Sequence, residues 1–200
     1  ARPLPKQALP FDKNEGAGFW WANGRNSFTR NVACENYRYG YRFELHQSSG
    51  FDPCVRLRGL TGEPEDLDVR AVPFLKFEDN ESHTEGLYSF NFGYDKHGEI
   101  HGDKQHPFIV RNLRAWETHY VLRPDLQYFL CEGLRVKHAV YGIYHPDYDA
   151  HVYRDLDFDN INSEPINRGH DDDSIQYGNF TYERLTLTNC KVGRDPLIQM

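Results

Sequence analysis

Methionine occurs once and tryptophan three times in the 200 residues, alanine is scarce, and no apolar run approaches the ~18 residues of a membrane-spanning helix. A basic surplus is also missing. Lys and Arg number 23 against 30 Asp and Glu, a net charge of -7, which argues against duplex nucleic acid as a partner. The four cysteines, at 34, 54, 131 and 190, form no Cys-x-x-Cys pair and no Cys/His spacing of a zinc site. There is no Gly-rich phosphate loop and no Gly-x-Ser-x-Gly nucleophile elbow. Helical repeat arrays need long stretches of 3.6-residue periodicity, and none is present. Broadly hydrophobic residues make up only 38%, low for a thick globular core, while 14% aromatics argues against disorder.

What is present is internal repetition. Four segments share an apolar-x-x-Leu-x-apolar pattern: Val110 to Ala115, Cys131 to Val136, Tyr153 to Phe158 and Tyr182 to Leu187. Their leucines, Leu113, Leu134, Leu156 and Leu185, are 21, 22 and 29 residues apart, and the longest gap contains His170-Asp171-Asp172-Asp173. Upstream the unit weakens: Leu75-Lys76-Phe77-Glu78-Asp79-Asn80 aligns with Asn26-Ser27-Phe28-Thr29-Arg30-Asn31. Each of these two is followed by a Gly-aromatic strand, at 39–43 and 86–90, and Tyr141-Gly142-Ile143-Tyr144 repeats that element. Short alternating segments punctuated by Gly, Pro and Asn are strands with one apolar face.

This pattern predicts an all-β chain, a right-handed parallel β-helix of about seven to eight coils of ~22 residues, with equivalent leucines stacked at the ordinary strand spacing. Residues 1–17 read as an extended lead-in and 18–200 as one domain, part of a longer solenoid. Pro196 to Met200 reads as a strand of a further coil. Insertions are expected near 46–73 and 93–107, and Glu63 to Asp68 reads as a solvated acidic loop. Asn31, Asn80, Asn160 and Asn189 are expected at corners, where Asn accepts left-handed backbone geometry and can form amide ladders. The cysteines read as buried thiols rather than disulfides, with Cys131 at an inward position. Trp20, Trp21 and Trp116 read as core-filling aromatics before sugar platforms.

The run Gly18-Phe19-Trp20-Trp21 through Asn31-Val32-Ala33 to Gly40-Tyr41-Arg42-Phe43 resembles right-handed parallel β-helix repeat proteins. More narrowly it is similar to the β-helix region of G8-domain proteins, the cell-migration-inducing hyaluronidase and fibrocystin group. The resemblance covers most of 18–190 at the level of the repeat and implies the fold. No G8 domain is present, and the family's hyaluronan-degrading activity carries over to no residue here.

A 22-residue period places Arg123, His145 and Asn167 in one file, with Asp125 and Asp147 two residues on, as one exterior face. Such a face could hold an acidic polysaccharide: Arg123 would pair with a uronate carboxylate, Asn167 with hydroxyls, and Tyr144 or Tyr148 would stack on a pyranose ring. If turnover occurs, His145 is the candidate base, its ordinary pKa lying near neutrality, and Asp147, Asp171 and Asp172 are candidate ligands for Ca²⁺. The bland alternative is a solvated polar edge. Three functions follow: an extracytoplasmic (secreted, periplasmic or cell-surface) module that binds or processes acidic polysaccharide; a structural subunit that stacks on other protein chains through open solenoid ends; or a NosD-like periplasmic metal-handling protein using His145, His151 and His170.

Overall fold

The computed structural model describes residues 16–44, 52–59, 62–92, 100–145, 148–167, 178–191, 193 and 196–199. The described chain is all-β: it contains no α-helix, only a single 3-10 turn at Val69–Ala71, and no helix is long and apolar enough to cross a membrane.

The strands come in recurring groups. The first comprises β1 (Phe19–Trp21), β2 (Ser27–Thr29) and β3 (Val32–Cys34); the second begins with β4 (Tyr39–Phe43). A hairpin of β5 (Cys54–Arg58) and β6 (Pro64–Asp68) is then inserted, before β7 (Lys76–Glu78) and β8 (Glu81–His83) complete the group. The third is β9 (Tyr88–Phe92), β10 (Phe108–Arg111) and β11 (Arg114–Trp116), and the fourth β12 (Tyr120–Pro124), β13 (Leu126–Glu132) and β14 (Arg135–Lys137). In the last two, the second and third strands merge: β15 (Tyr141–Tyr144) leads to β16 (Tyr148–Asp159), and β17 (Ile166–Asn167) to β18 (Phe180–Thr188).

Pairing joins equivalent strands of successive groups, always in parallel. A six-stranded sheet runs β1-β4-β9-β12-β15-β17. In the ten-stranded sheet, β2-β7-β10-β13 and β3-β8-β11-β14 are two separate runs that meet on β16, which also carries β18. The period is 21 to 23 residues where nothing is inserted, as in Phe19↔Tyr41, Leu122↔Ile143 and Ile143↔Ile166, and lengthens across insertions, as in Tyr41↔Phe90. Ile198 bridges Ile166 in parallel, so the segment expected to extend the array does pair with it. The acidic stretch expected as a loop is instead β6, paired antiparallel with β5 (Arg56↔Asp66, Leu57↔Glu65), because it follows the basic Cys54–Arg58 at hairpin distance.

The flanking pairs Val110↔Cys131 and Ala115↔Val136, with Cys131↔Tyr153 and Val136↔Phe158, put Leu113, Leu134 and Leu156 in one register, and Leu156 faces Leu185 directly. The first three are fully buried. The residue before each of these positions lies in the left-handed region: Arg30, Asp79, Asn112, Gly133, Asp155 and Arg184. A second corner does the same with Glu35, Thr84, Glu117, His138, Asn160 and Asn189. Left-handed geometry is costly for residues with a Cβ. It is held by the stacking itself, since the N–H of Arg30, Asp79, Asn112 and Gly133 each donates to a carbonyl of the next repeat, as do those of Glu35, Thr84, Glu117, His138 and Asn160. Of the four corner asparagines expected, Asn160 and Asn189 are left-handed, whereas Asn31 and Asn80 follow the left-handed residue and turn inward. There Asn31 Nδ2 donates to Asn80 Oδ1 at 3.0 Å, an amide ladder of two rungs.

The core is one continuous apolar cluster from Trp21 to Ile166. In the six-stranded sheet two consecutive residues face inward, Gly40-Tyr41 in β4 and Gly142-Ile143 in β15. A Cβ on Gly40 would stand 2.0 Å from Ser82 Oγ, and one on Gly142 2.0 Å from the Pro165 carbonyl, so the first of the pair must be small. All four cysteines are free thiols. Cys131 is buried as expected, but Cys34 and Cys54 are exposed: Cys34 lies on the outward side beside the buried Ala33, and Cys54 opens a hairpin strand that is exposed along nearly its whole length.

Candidate functional site

The interior inversion after Gly40 turns the preceding tyrosines out of the core into a second apolar cluster that includes Ala17, Tyr39, Tyr88, Tyr120 and Tyr144. These rings stack along the sheet: Tyr39 on Tyr88 at 6.1 Å, Tyr88 on Tyr120 at 4.9 Å and Tyr120 on Tyr141 at 4.6 Å between centroids. Three residues further along each strand lies a polar file, Arg42, Asn91 and Arg123. Arg42 Cζ sits 4.6 Å from the Tyr39 centroid and Arg123 Cζ 5.9 Å from that of Tyr144, both favourable cation–π placements. The earlier part of this strip is nearly closed to solvent, with Tyr39, Tyr88, Arg42 and Asn91 buried. The open part lies at Arg123, Tyr120, Tyr141 and Tyr144, all partly exposed.

The expected file is off by one residue. Because Leu122 pairs with Ile143, Arg123 stands beside Tyr144, and Tyr144 in turn pairs with Asn167. His145 therefore falls on the inward parity and is fully buried. Its Nε2 lies 2.6 Å from the Tyr153 hydroxyl, which is also 3.0 Å from His151 Nδ1, and His151 Nε2 donates to the Leu126 carbonyl at 2.7 Å. Burial holds His145 well below the ordinary histidine range and pushes His151 down to about 4, while it raises the Tyr153 hydroxyl. The neutral imidazole is sealed in the core, so strand parity corrects the expected placement of His145 on the exterior face. Arg123 is paired with Asp125 at 3.3 Å, and Asn167 Nδ2 donates to Glu164 Oε2, which leaves Asn167 buried at 7% exposure. Asp147, Asp171, Asp172 and His170 lie outside the described residues, as does the side chain of Tyr148, whose backbone pairs with Leu126. No group of three His, Cys, Asp or Glu that could hold a metal occurs among the described residues.

The outer faces of the ten-stranded sheet are laddered with charge. In the last outward file of the first run, Glu78, Arg111, Glu132, Arg154 and Glu183 alternate in sign, with Arg111 bonded to Glu78 at 3.3 Å and Glu132 at 3.1 Å, and Arg154 to Glu183 at 2.9 Å. Trp116 also faces outward, since its neighbour Ala115 is the buried one, and its indole stacks on His83 at 4.3 Å. The expectation of core packing thus holds for Trp21 in the main core and for Trp20, which packs against the tyrosine cluster, and fails for Trp116. The tyrosine stack lies outside the expectations above, although the sequence carries its signal: a Tyr precedes each small or β-branched inward residue in Tyr39-Gly40, Tyr88-Ser89, Tyr120-Val121 and Tyr141-Gly142.

No family model, no curated protein and no solved structure matches this chain.

Proposed function

We propose that the chain is a right-handed parallel β-helix whose outer tyrosine–arginine strip binds acidic polysaccharide outside the cytoplasm. The fold reading is supported by three parallel runs of strands visited in the same order in each repeat, and by the strong preference of parallel crossovers for the right hand. The functional reading rests on one arrangement: Arg123 over the Tyr144 ring, beside the Tyr120–Tyr141 stack, one strand spacing apart along the sheet. Ring edges and hydroxyls recurring at ~4.8 Å suit a linear chain of sugars, and the guanidinium suits a carboxylate. In the free protein Asp125 occupies that guanidinium, so a uronate exchanges with it.

An array of uronic-acid, sulfated and neutral oligosaccharides, with and without Ca²⁺, tests the reading. Arg123→Ala is expected to weaken uronate binding about tenfold or more, as loss of a charge-assisted bond does. Asp125→Asn, which frees the guanidinium, is expected to strengthen it. Uronate binding unchanged by both substitutions removes this strip from consideration. A second reading, assembly with other protein chains, is favoured by β18: it is an edge strand nine residues long whose Tyr182, Leu185 and Leu187 remain partly exposed. Association that weakens on Leu187→Lys, with no glycan bound, would support that reading instead.

A further inference from the structure

The rule of alternating charge is broken at one place. In the second run of the ten-stranded sheet the first outward file reads Glu81, Arg114, Arg135, Asp157, with Arg114 directly opposite Arg135. Like charges in register on adjacent strands destabilise a sheet, and the neighbouring file shows that this chain otherwise avoids them. Arg114 is paired with Glu81. Arg135 turns its guanidinium to main-chain carbonyls, those of Asp155 at 2.5 Å and Leu134 at 3.4 Å. Next to the two arginines, in the following outward file, stand Trp116 and Lys137 in register. Lys137 is 61% exposed, and its amino group is 3.8 Å from Asp159, a loose pair in water. His138, at the corner, accepts from Asn160 Nδ2 through Nδ1 at 2.6 Å, so its Nε2–H is the outward donor. These residues line an open groove of about 320 Å³ with Asp157 and Asp159 on its far wall.

His83 covers one face of the Trp116 indole in a near-parallel stack at 10°, and it thereby fixes the plane of the ring. On the next strand Lys137 stands in register with Trp116, and both residues line the groove. An aromatic plane held rigid beside three cations is the recognition chemistry of a pyranose ring that carries an oxyanion: the apolar ring face packs on the indole while the substituent meets guanidinium and ammonium. Local rules of this kind are broken mostly at functional or strained sites.

We infer that Arg114, Arg135 and Lys137, with Trp116 as platform, form a second glycan site, distinct from the tyrosine–arginine strip, that takes a sugar unit bearing a carboxylate or a sulfate ester. It shares with the proposed function only the class of ligand. The carboxylate and the sulfate are separated by probing with oligosaccharides of unsulfated uronic acid, of a sulfated neutral sugar, and of a neutral glucan.

Titration calorimetry and thermal unfolding of the full chain test this, using an Arg114→Gln, Arg135→Gln double variant, Trp116→Leu, and Arg123→Ala as the control for the other strip. The double variant is expected to lose about tenfold in affinity for at least one of the two anionic probes, with a shallower salt dependence. Trp116→Leu is expected to weaken the same probe, and the neutral glucan to bind weakly throughout. In the absence of glycan the double variant should melt at the same temperature as the parent or higher, because the like-charge pair is relieved. A lower melting temperature with unchanged anion affinity would assign the arginines a structural role and overturn the inference, as would a parent protein that binds neither anionic probe. If Arg123→Ala abolishes binding and the double variant does not, the groove is empty of function while the first strip stands; the reverse result leaves the groove and removes the strip.

Discussion

The same inward positions are filled by different chemistry in the two halves of the molecule. At the first corner the early repeats place Asn31 and Asn80, and the later ones Leu113, Leu134, Leu156 and Leu185. One strand further, Ala33 and Ser82 give way to Ala115, Val136 and Phe158. The early half also buries Glu85, which accepts from Asn36 N and Nδ2 and from Ser82 Oγ, each at 3.1 Å. It compensates with rings, packing Trp21, Phe43, Phe74, Phe77 and Phe90 against one another. The lesson is that parallel stacking demands only that successive occupants match each other. Amides bonded along the stack and leucines packed along it serve equally, provided neither meets the other's kind without a partner.

The largest effect is expected where the aliphatic stack is cut. Leu134 is fully buried between Leu113 and Leu156, and Leu134→Ala leaves a cavity bounded by rigid neighbours. Denaturant unfolding should show a loss of about 2–5 kcal/mol. A loss below that range would mean that the stack collapses to fill the void, and that the later half is as adaptable as the early one.

This division also decides what could be read from the sequence. The leucine repeat was plain because a single residue type recurs at 21 and 22 residues over a conserved-size left-handed corner, and the parallel register follows from it. The early repeats were fainter because Asn31 and Asn80 replace the leucine and because the β5–β6 hairpin stretches one period from 22 to 49 residues (Phe19↔Tyr41 against Tyr41↔Phe90). The strip failed by one position. Arg123 lies on the outer face, but the step from Leu122 to Ile143 is 21 residues where a strict period has 22, and a one-residue slip sends His145 inward. Trp116 departs from expectation for another reason: hydrophobicity argues for burial, and only the parity set by Ala115 turns the indole outward.

A second way to separate the halves is acid. The later repeats hold His145 and His151 neutral around the Tyr153 hydroxyl, with Asp149 as the acidic group that acts on His151. Both have folded values depressed by burial below the ordinary 6.5. As pH falls through 6.5 the unfolded chain takes up protons that the folded chain refuses, so stability present above that value is lost progressively toward about 4, where His151 itself titrates. Each histidine contributes a slope of up to about 1.4 kcal/mol per pH unit in that window. Glu85 in the early half runs the other way: burial raises its carboxyl, so its contribution is present below 4.5 and lost as pH rises through its raised folded value. Acid should therefore loosen the later repeats while easing the earlier ones. Urea midpoints measured from pH 7 to 4.5 should fall, and His151→Gln should remove about half of the slope. A midpoint flat across that range would place both histidines in contact with water and contradict their burial.

The smallest expected effect tests whether the two kinds of rung are interchangeable. Asn80 Oδ1 accepts from both the main-chain N–H and Nδ2 of Asn31, each at 3.0 Å, and its own Nδ2 donates to the Phe28 carbonyl at 2.9 Å. Asn80→Leu installs the residue of the later repeats and gains apolar burial. It also strands a main-chain donor at Asn31 and an acceptor at Phe28 in a site closed to water. Unmet buried groups cost about 1–3 kcal/mol each, against roughly 1.5–3 kcal/mol for burying a leucine, so the net loss should be near 1–2 kcal/mol. Adding Asn31→Leu relieves the side-chain amide but not the two main-chain groups, and the double variant should recover only part of the loss. Full recovery would show that the corner backbone finds other partners once the amides are gone, and that the early half is polar by choice of residue and not by need of its main chain.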